Sequence, residues 1–136
     1  MATKAELEHF FQTDFPQADF TIESIGEKSA TIRKKIAPGH LRPGGTVSGP
    51  VLMELADAAL YVTILSEIGL VAMAVTTNLN INFLRKPSAD KDIIAKCTLI
   101  KLGKSLAIGE VSIYSGDLPE PVAHAVGTYS IPPARA

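Results

Sequence analysis

Two carboxylates three residues apart, Glu54 and Asp57, stand in an otherwise apolar run, Pro50-Val51-Leu52-Met53-Glu54-Leu55-Ala56-Asp57-Ala58-Ala59-Leu60. Three residues is close to one helical turn, so in a helix both acids lie on nearly the same face. An unpaired carboxylate is costly to bury, so each must reach solvent, a partner group or a subunit boundary. A carboxylate so placed can act as nucleophile or general base. A solvated polar stripe, or a structural bond to a neighbouring chain, accounts for the position equally well. Just upstream, Gly44-Gly45-Thr46-Val47-Ser48-Gly49-Pro50 brings flexible backbone to the start of that helix. Free N–H groups and the positive end of the helix dipole can there hold an oxygen that gains negative charge. A carboxylate two turns into a helix is roughly 10 Å from that helix's own start. Acid and donors do not easily meet within one chain, but they can meet across a two-fold interface.

The helix carrying the acids is predicted over Val51–Ile68. Its Leu52, Leu55, Ala56, Ala59, Leu60, Val62, Ile64 and Leu65 wrap most of the circumference, as in a buried helix. Pro50 suits the first helical position, Ser48 or Gly49 the cap, and Gly69 the end. Upstream, Leu7, Phe10 and Phe11 at helical spacing predict a leading helix over Ala5–Asp14, closed by Pro16, so that residues 1–17 form a leading helix and turn. Alternation of Phe20, Ile22 and Ile25, then Ala30, Ile32, Lys34 and Ile36, around Gly26-Glu27-Lys28 predicts a hairpin. Pro38-Gly39-His40-Leu41-Arg42-Pro43-Gly44-Gly45 is too rich in breakers for regular structure. Four strand-like runs follow the long helix: Val71–Leu84, Ile93–Leu102, Leu106–Tyr114 and Val122–Ile131. The expected class is α+β, a long central helix wrapped by a mainly antiparallel six-stranded sheet.

A length of 136 residues predicts a single domain spanning 1–136. Lys and Arg sum to 13 against 14 Asp and Glu, a net charge of −1, which argues against nucleic acid as a partner. With 46% hydrophobic and 20% charged residues the chain is apolar for its size. A domain this small buries only roughly two-thirds of its unfolded surface, so further burial against copies of itself is expected. Glu54, Asp57 and Glu67 interrupt the richest apolar stretch, so no membrane span is predicted. Met1-Ala2-Thr3-Lys4-Ala5-Glu6 lacks the features of a signal peptide, and the lone Cys97 fits a reducing cytoplasm, the expected location. Cys97 itself reads as a buried small hydrophobe. His9, His40 and His124 show no zinc-ligand spacing and the acids no calcium-loop pattern, so no metal is expected. Ser48 lacks the Gly-x-Ser-x-Gly elbow and a His-Asp pair, and is read as a cap rather than a serine nucleophile.

Thr46-Val47-Ser48-Gly49-Pro50, Leu55-Ala56-Asp57-Ala58-Ala59, the run Val75 to Pro87, Gly103-Lys104-Ser105 and Ala125-Val126-Gly127-Thr128-Tyr129 occur in a telling order. Together they resemble the hotdog-fold thioesterases of the PaaI, phenylacetate-degradation, type. That family opens its central helix with His-Gly-Gly and places an acid nine positions after the His; here Ser48 stands at the His position and Asp57 follows it by nine. The resemblance implies a hotdog fold and an acyl-CoA thioesterase acting on a small or medium acyl or aryl-acyl thioester. Coenzyme A would be part of the substrate, with no bound cofactor, and the minimal unit would be a homodimer, with a homotetramer expected.

The same resemblance makes Asp57 the catalytic carboxylate, the Gly49 N–H an oxyanion donor, and Thr76 a hydroxyl that orients water. By residue type alone Thr76 is an ordinary β-branched strand residue. Arg42 stands where relatives place an Asn that assists the oxyanion, and Arg42 and His40 can instead bind a carboxylate or phosphate. Ser48, Glu54 and Asn78 complete the candidate substrate contacts. Arg85, Lys86 and above all Lys104 are candidates for the coenzyme A phosphates, or form a solvated rim. Ser48-Gly49-Pro50 lacks an imidazole and one donor N–H, which implies a weaker or differently built oxyanion site. Two rival functions remain. A dehydratase or hydratase on this fold would need His40 beside Asp57 of a second subunit. A non-catalytic acyl-CoA-binding protein would need neither.

Overall fold

The structure is a computed structural model and describes residues 1–133; positions 134–136 of the expected domain lie outside the described residues. In chain order it contains α1 (Lys4–Asp14), β1 (Thr21–Gly26), β2 (Ser29–Lys34), a 3₁₀ turn (Pro38–His40), β3 (Leu41–Arg42), β4 (Thr46–Val47), α2 (Gly49–Ile68), β5 (Val75–Phe83), β6 (Ile93–Leu102), β7 (Leu106–Ser115) and β8 (Ala123–Ser130). Six strands form one sheet in the order β1-β2-β6-β7-β8-β5, and every neighbouring pair is antiparallel. The expected α+β architecture, a long helix wrapped by a six-stranded sheet, is the one observed.

Period-two alternation produces this arrangement. Strands β2, β6, β7 and β8 bury alternate residues, among them Ile32, Ile93, Val111, Ile113 and Ala125, and α2 meets them with Leu52, Leu55, Leu60, Ile64 and Leu65. Gly109 and Gly127 are register partners on β7 and β8. A Cβ on either would collide with a methyl of Leu60, at 2.8 Å in the case of Gly109. Two facing glycines thus form the depression into which α2 sinks. Helix α1 starts with a reciprocal capping box, Thr3 with Glu6, and lays Phe10 and Phe11 against Tyr61 of α2.

Three local expectations require correction. The strand expected from Val71 begins at Val75, because residues 71–74 fold into a turn: Ala74 N–H donates to Val71 O and the Tyr61 hydroxyl donates to Ala72 O at 2.8 Å. The stretch Pro38–Gly45, expected to lack regular structure, holds the 3₁₀ turn and takes part in a small ladder that pairs Leu41 with Val47 and Arg42 with Thr46. The chain reverses there through Gly44 and Gly45, at φ 102° and 80°, a region that glycine occupies without strain. Finally, α2 begins at Gly49 rather than Val51, which makes Pro50 its second residue rather than its first.

Strand β5 ends the sheet, so one of its edges is unpaired. It is mostly exposed, and Val75, Phe83 and the following Leu84 are each about half accessible. Among the described residues no helix is long and apolar enough to cross a membrane.

Candidate active site

The first half of α2 turns one face outward: Met53 and Glu54 are exposed, and Asp57 and Ala58 half-buried. Asp57 Oδ1 accepts two hydrogen bonds, from Thr76 Oγ1 at 2.6 Å and from the Tyr129 hydroxyl at 2.7 Å. The same hydroxyl lies 3.1 Å from the Asp57 carbonyl oxygen. No donor among the described residues reaches Oδ2, and no cation pairs with this carboxylate.

Strand register creates this clamp. Thr76 on β5 and Tyr129 on β8 are directly opposite, and the register slips at Thr77 before pairing resumes at Asn78 and Thr128. Beyond the slip Leu79 and Ile81 face inward; unbroken alternation would have given Thr77 that direction, and the bulge gives it to Thr76. The Tyr129 side chain is buried and stacks on Tyr61 at 5.9 Å between ring centroids. Burial first, and the adjacent Asp57 carboxylate second, push the Tyr129 hydroxyl far above the ordinary phenol range, so it remains a proton donor.

Asp57, Thr76 and Tyr129 line a cavity of about 900 Å³. Its apolar wall comes largely from α1 and the segment after it, through Phe10, Phe11, Phe15 and Phe20. Glu54 lines the same cavity one turn before Asp57 and makes no hydrogen bond or ion pair among the described residues.

The remaining candidates lie elsewhere. Gly49 is the first residue of α2, eight residues before Asp57, which is about 12 Å along the axis. It packs close to Phe83, where an added Cβ would stand 3.3 Å from the ring. Thus the helix start sits by the last residue of β5, while Asp57 sits by the second. Among the described residues the N–H groups of Gly49 and Val51 find no acceptor, and Leu52 N–H reaches Ser48 O at 3.3 Å. Ser48 occupies the N-cap position, yet its hydroxyl makes no capping bond. A cap hydroxyl serves the second or third N–H of a helix, and the second residue here is proline.

His40 accepts the Ala37 N–H on Nδ1 at 2.8 Å, which builds the loop and leaves the proton on Nε2. Arg42 is exposed and, among the described residues, donates only to Pro43 O. Asn78 is exposed on β5, just past the bulge. Arg85 is taken up by Pro121 O and Glu120, whereas Lys86 and Lys104 are exposed without an ion pair among the described residues. Lys104 lies in the β6–β7 turn beside Ser105, whose carbonyl holds Ile131 at the far end of β8; Arg85 and Lys86 follow the opposite end of β5. Within one chain these cations do not converge. Cys97 is buried, and burial pushes its thiol up to about 11.

Sequence reasoning missed Tyr129 as a site residue. The available signal was its parity: it continues the inward series Ala123, Ala125, Gly127 on β8, and a buried phenol needs a partner for its hydroxyl.

A long helix enclosed by a curved antiparallel sheet, with a clamped carboxylate at a cavity wall, defines the class of hotdog-fold proteins. The family model of the thioesterase superfamily matches residues 44–122, and the chain belongs to that superfamily. No match is found among curated proteins. A provisionally named thioesterase from Silicibacter sp. TM1040 is 41% identical, with 96% of this chain and 92% of that chain covered and a TM-score of 0.89. A hypothetical thioesterase from Streptococcus pneumoniae, solved with coenzyme A, is 22% identical, covering 94% and 98% with a TM-score of 0.79. The E. coli PaaI protein of the phenylacetic acid degradation operon is 22% identical, covering 93% and 94% with a TM-score of 0.78. The last two are alike in fold.

Proposed function

We propose that this protein is an acyl-CoA thioesterase that hydrolyses a small or medium acyl or aryl-acyl thioester at a site shared between two copies of the chain. One observation carries the reading: in a thioesterase-superfamily chain, a carboxylate with no cation partner among the described residues is clamped through one oxygen at the wall of a largely apolar cavity. The clamp leaves Oδ2 to act, as nucleophile on the thioester carbonyl or as base toward water. Thr76 has its hydrogen committed to Asp57, so toward a water molecule it offers lone pairs only. Its role is to orient the carboxylate first and the water second.

The oxyanion donors are the unpaired N–H groups at the start of α2, chiefly that of Gly49. Their separation from Asp57 on one helix favours donation from a second copy. The exposed edge strand β5, with Val75 and Phe83 half accessible, supports that assembly. Pairing two β5 strands antiparallel about a two-fold axis brings the Phe83 end of one, with its helix start, toward the Thr76 end of the other. The relative solved with coenzyme A supports a coenzyme A ester as substrate. Lys86 and Lys104, which have no ion-pair partner among the described residues, suit its phosphates.

The test presents a panel of acyl-CoA thioesters and follows free thiol. Release by the wild type, lowered about 100-fold or more in Asp57→Ala, is the expected result. Release that survives the substitution undiminished removes Asp57 from the mechanism. An altered acyl chain on an intact thioester indicates dehydratase or hydratase chemistry, and binding without turnover a non-catalytic acyl-CoA-binding protein.

A further inference from the structure

Strand β2 alternates buried and half-buried residues, and its inward series is Ala30, Ile32, Lys34. A lysine at a core-parity position breaks the binary pattern that the rest of the strand obeys, and such breaks mark function or strain. The Lys34 side chain is 8% exposed. Its Nζ donates to Asp19 O at 2.9 Å, and the Asp19 carboxylate is 3.9 Å away, beyond hydrogen-bond distance. An ammonium has three donors. Two of them have no acceptor among the described residues, although the group is withdrawn from water.

Lys34 lines the same cavity as Asp57, at a region bounded also by Asp14, Gln17 and Asp19, residues exposed at the surface. The same cavity is lined by the aromatic rings of Phe10, Phe11, Phe20 and Tyr61. We propose that the Lys34 region is a subsite for the distal end of the acyl group, selecting chains that end in a hydroxyl over those that end in methyl or carboxylate. This rests on the thioesterase reading for the direction of the acyl arm. A hydroxyl oxygen accepts from the spare Lys34 donors, and its own hydrogen can go to Asp19 or Asp14. A methyl terminus leaves the buried donors unmet, and a carboxylate meets the Asp19 carboxylate, which already offsets the ammonium from 3.9 Å.

Binding of non-hydrolysable S-alkyl coenzyme A thioethers to the full chain, measured by calorimetry, tests the proposal apart from catalysis. The probes are matched sets from butyl to decyl ending in methyl, hydroxyl or carboxylate. At the best-fitting length the hydroxyl probe should bind about 10-fold tighter than the methyl probe, the value expected of one hydrogen bond to a charged group. In Lys34→Met that ratio should fall to near one, and in Lys34→Arg it should largely persist. Because the readout is a ratio, a general loss of affinity cancels. A wild-type ratio near one at every length, a ratio undiminished in Lys34→Met, tightest binding of the carboxylate probe, or no binding of any thioether overturns the subsite. If Lys34→Met does not fold, the wild-type and Lys34→Arg ratios decide. Absent thiol release with the hydroxyl preference intact would defeat the thioesterase reading alone. Release with equal kcat/KM for matched methyl and hydroxyl esters would defeat the subsite alone.

Discussion

The two halves of α2 treat their polar atoms in opposite ways. From Ala59 to Ser66 the helix is buried on every side, and its hydroxyls all find acceptors: Thr63 Oγ1 donates to Ala59 O at 2.7 Å, Ser66 Oγ to Thr63 O at 2.6 Å and the Tyr61 hydroxyl to Ala72 O at 2.8 Å. From Gly49 to Ala58 the polar groups look outward. Asp57 is held by two strands, and among the described residues Glu54 is unpaired and the Gly49 and Val51 N–H groups lack acceptors. Unmet hydrogen-bonding capacity, together with exposure and the two carboxylates, sets the candidate working half apart from the supporting half.

Substitutions in the supporting half should cost stability and leave chemistry intact. The largest effect is expected at Leu60, which fills the depression made by Gly109 and Gly127. Leu60→Ala should destabilise by about 2–5 kcal/mol. Gly127→Ala should cost about 1–3 kcal/mol through overpacking against Leu60. In the double variant the smaller side chain at 60 makes room for the new methyl, so the two costs should not add. Denaturant melts of all four proteins measure this coupling. Additive losses would show that the sheet and helix separate there without consequence. Thiol release per folded molecule should be the same in all four.

The working half answers differently. Tyr129→Phe keeps the ring stack on Tyr61 and removes one of the two donors on Asp57 Oδ1. A hydrogen bond to a charged group corresponds to roughly a 10-fold or larger loss in kcat, with KM little changed, because the hydroxyl's hydrogen is committed to the Asp57 carboxylate. Loss of stability without loss of kcat would move Tyr129 to the supporting half. Thr76→Val should act in the same direction, and the pair should be non-additive, since both hydroxyls hold one oxygen.

This division explains what was legible beforehand. Periodicity located α1, the hairpin, the long helix and the four later strands because each buries a face with a 3.6- or 2-residue repeat. Asp57 stood out as an acid among apolar neighbours. Its clamp did not, since it depends on the slip at Thr77 and on which residue of β8 faces Thr76, neither of which leaves a trace in local composition. Lys34 was visible within an alternating run, but only the folded chain shows that its side chain is buried at a cavity wall. The β3–β4 ladder escaped notice because two-residue strands carry too little pattern to register.

The smallest effect is expected at Ser48, and it bears on how the working end is built. By sequence this residue is a helix cap, and a capping Ser or Thr replaced by Ala typically costs about 0.5–2 kcal/mol. Thr3 at α1 meets that description, since it accepts the Glu6 N–H at 3.2 Å while the Glu6 carboxylate accepts the Thr3 N–H at 3.0 Å. Thr3→Ala should therefore show a cost in this range. Ser48 makes no such bond: Pro50 has removed the second N–H of α2, and the third, on Val51, is left without an acceptor among the described residues. Ser48→Ala should change stability by no more than a few tenths of a kcal/mol. Equal losses at the two positions would mean that a hydroxyl does close the start of α2, and the Gly49 and Val51 N–H groups would then be less free to receive a substrate oxygen. A loss at Thr3 alone leaves the helix that carries Asp57 with an uncapped start, its donors held open for a ligand rather than spent on the fold.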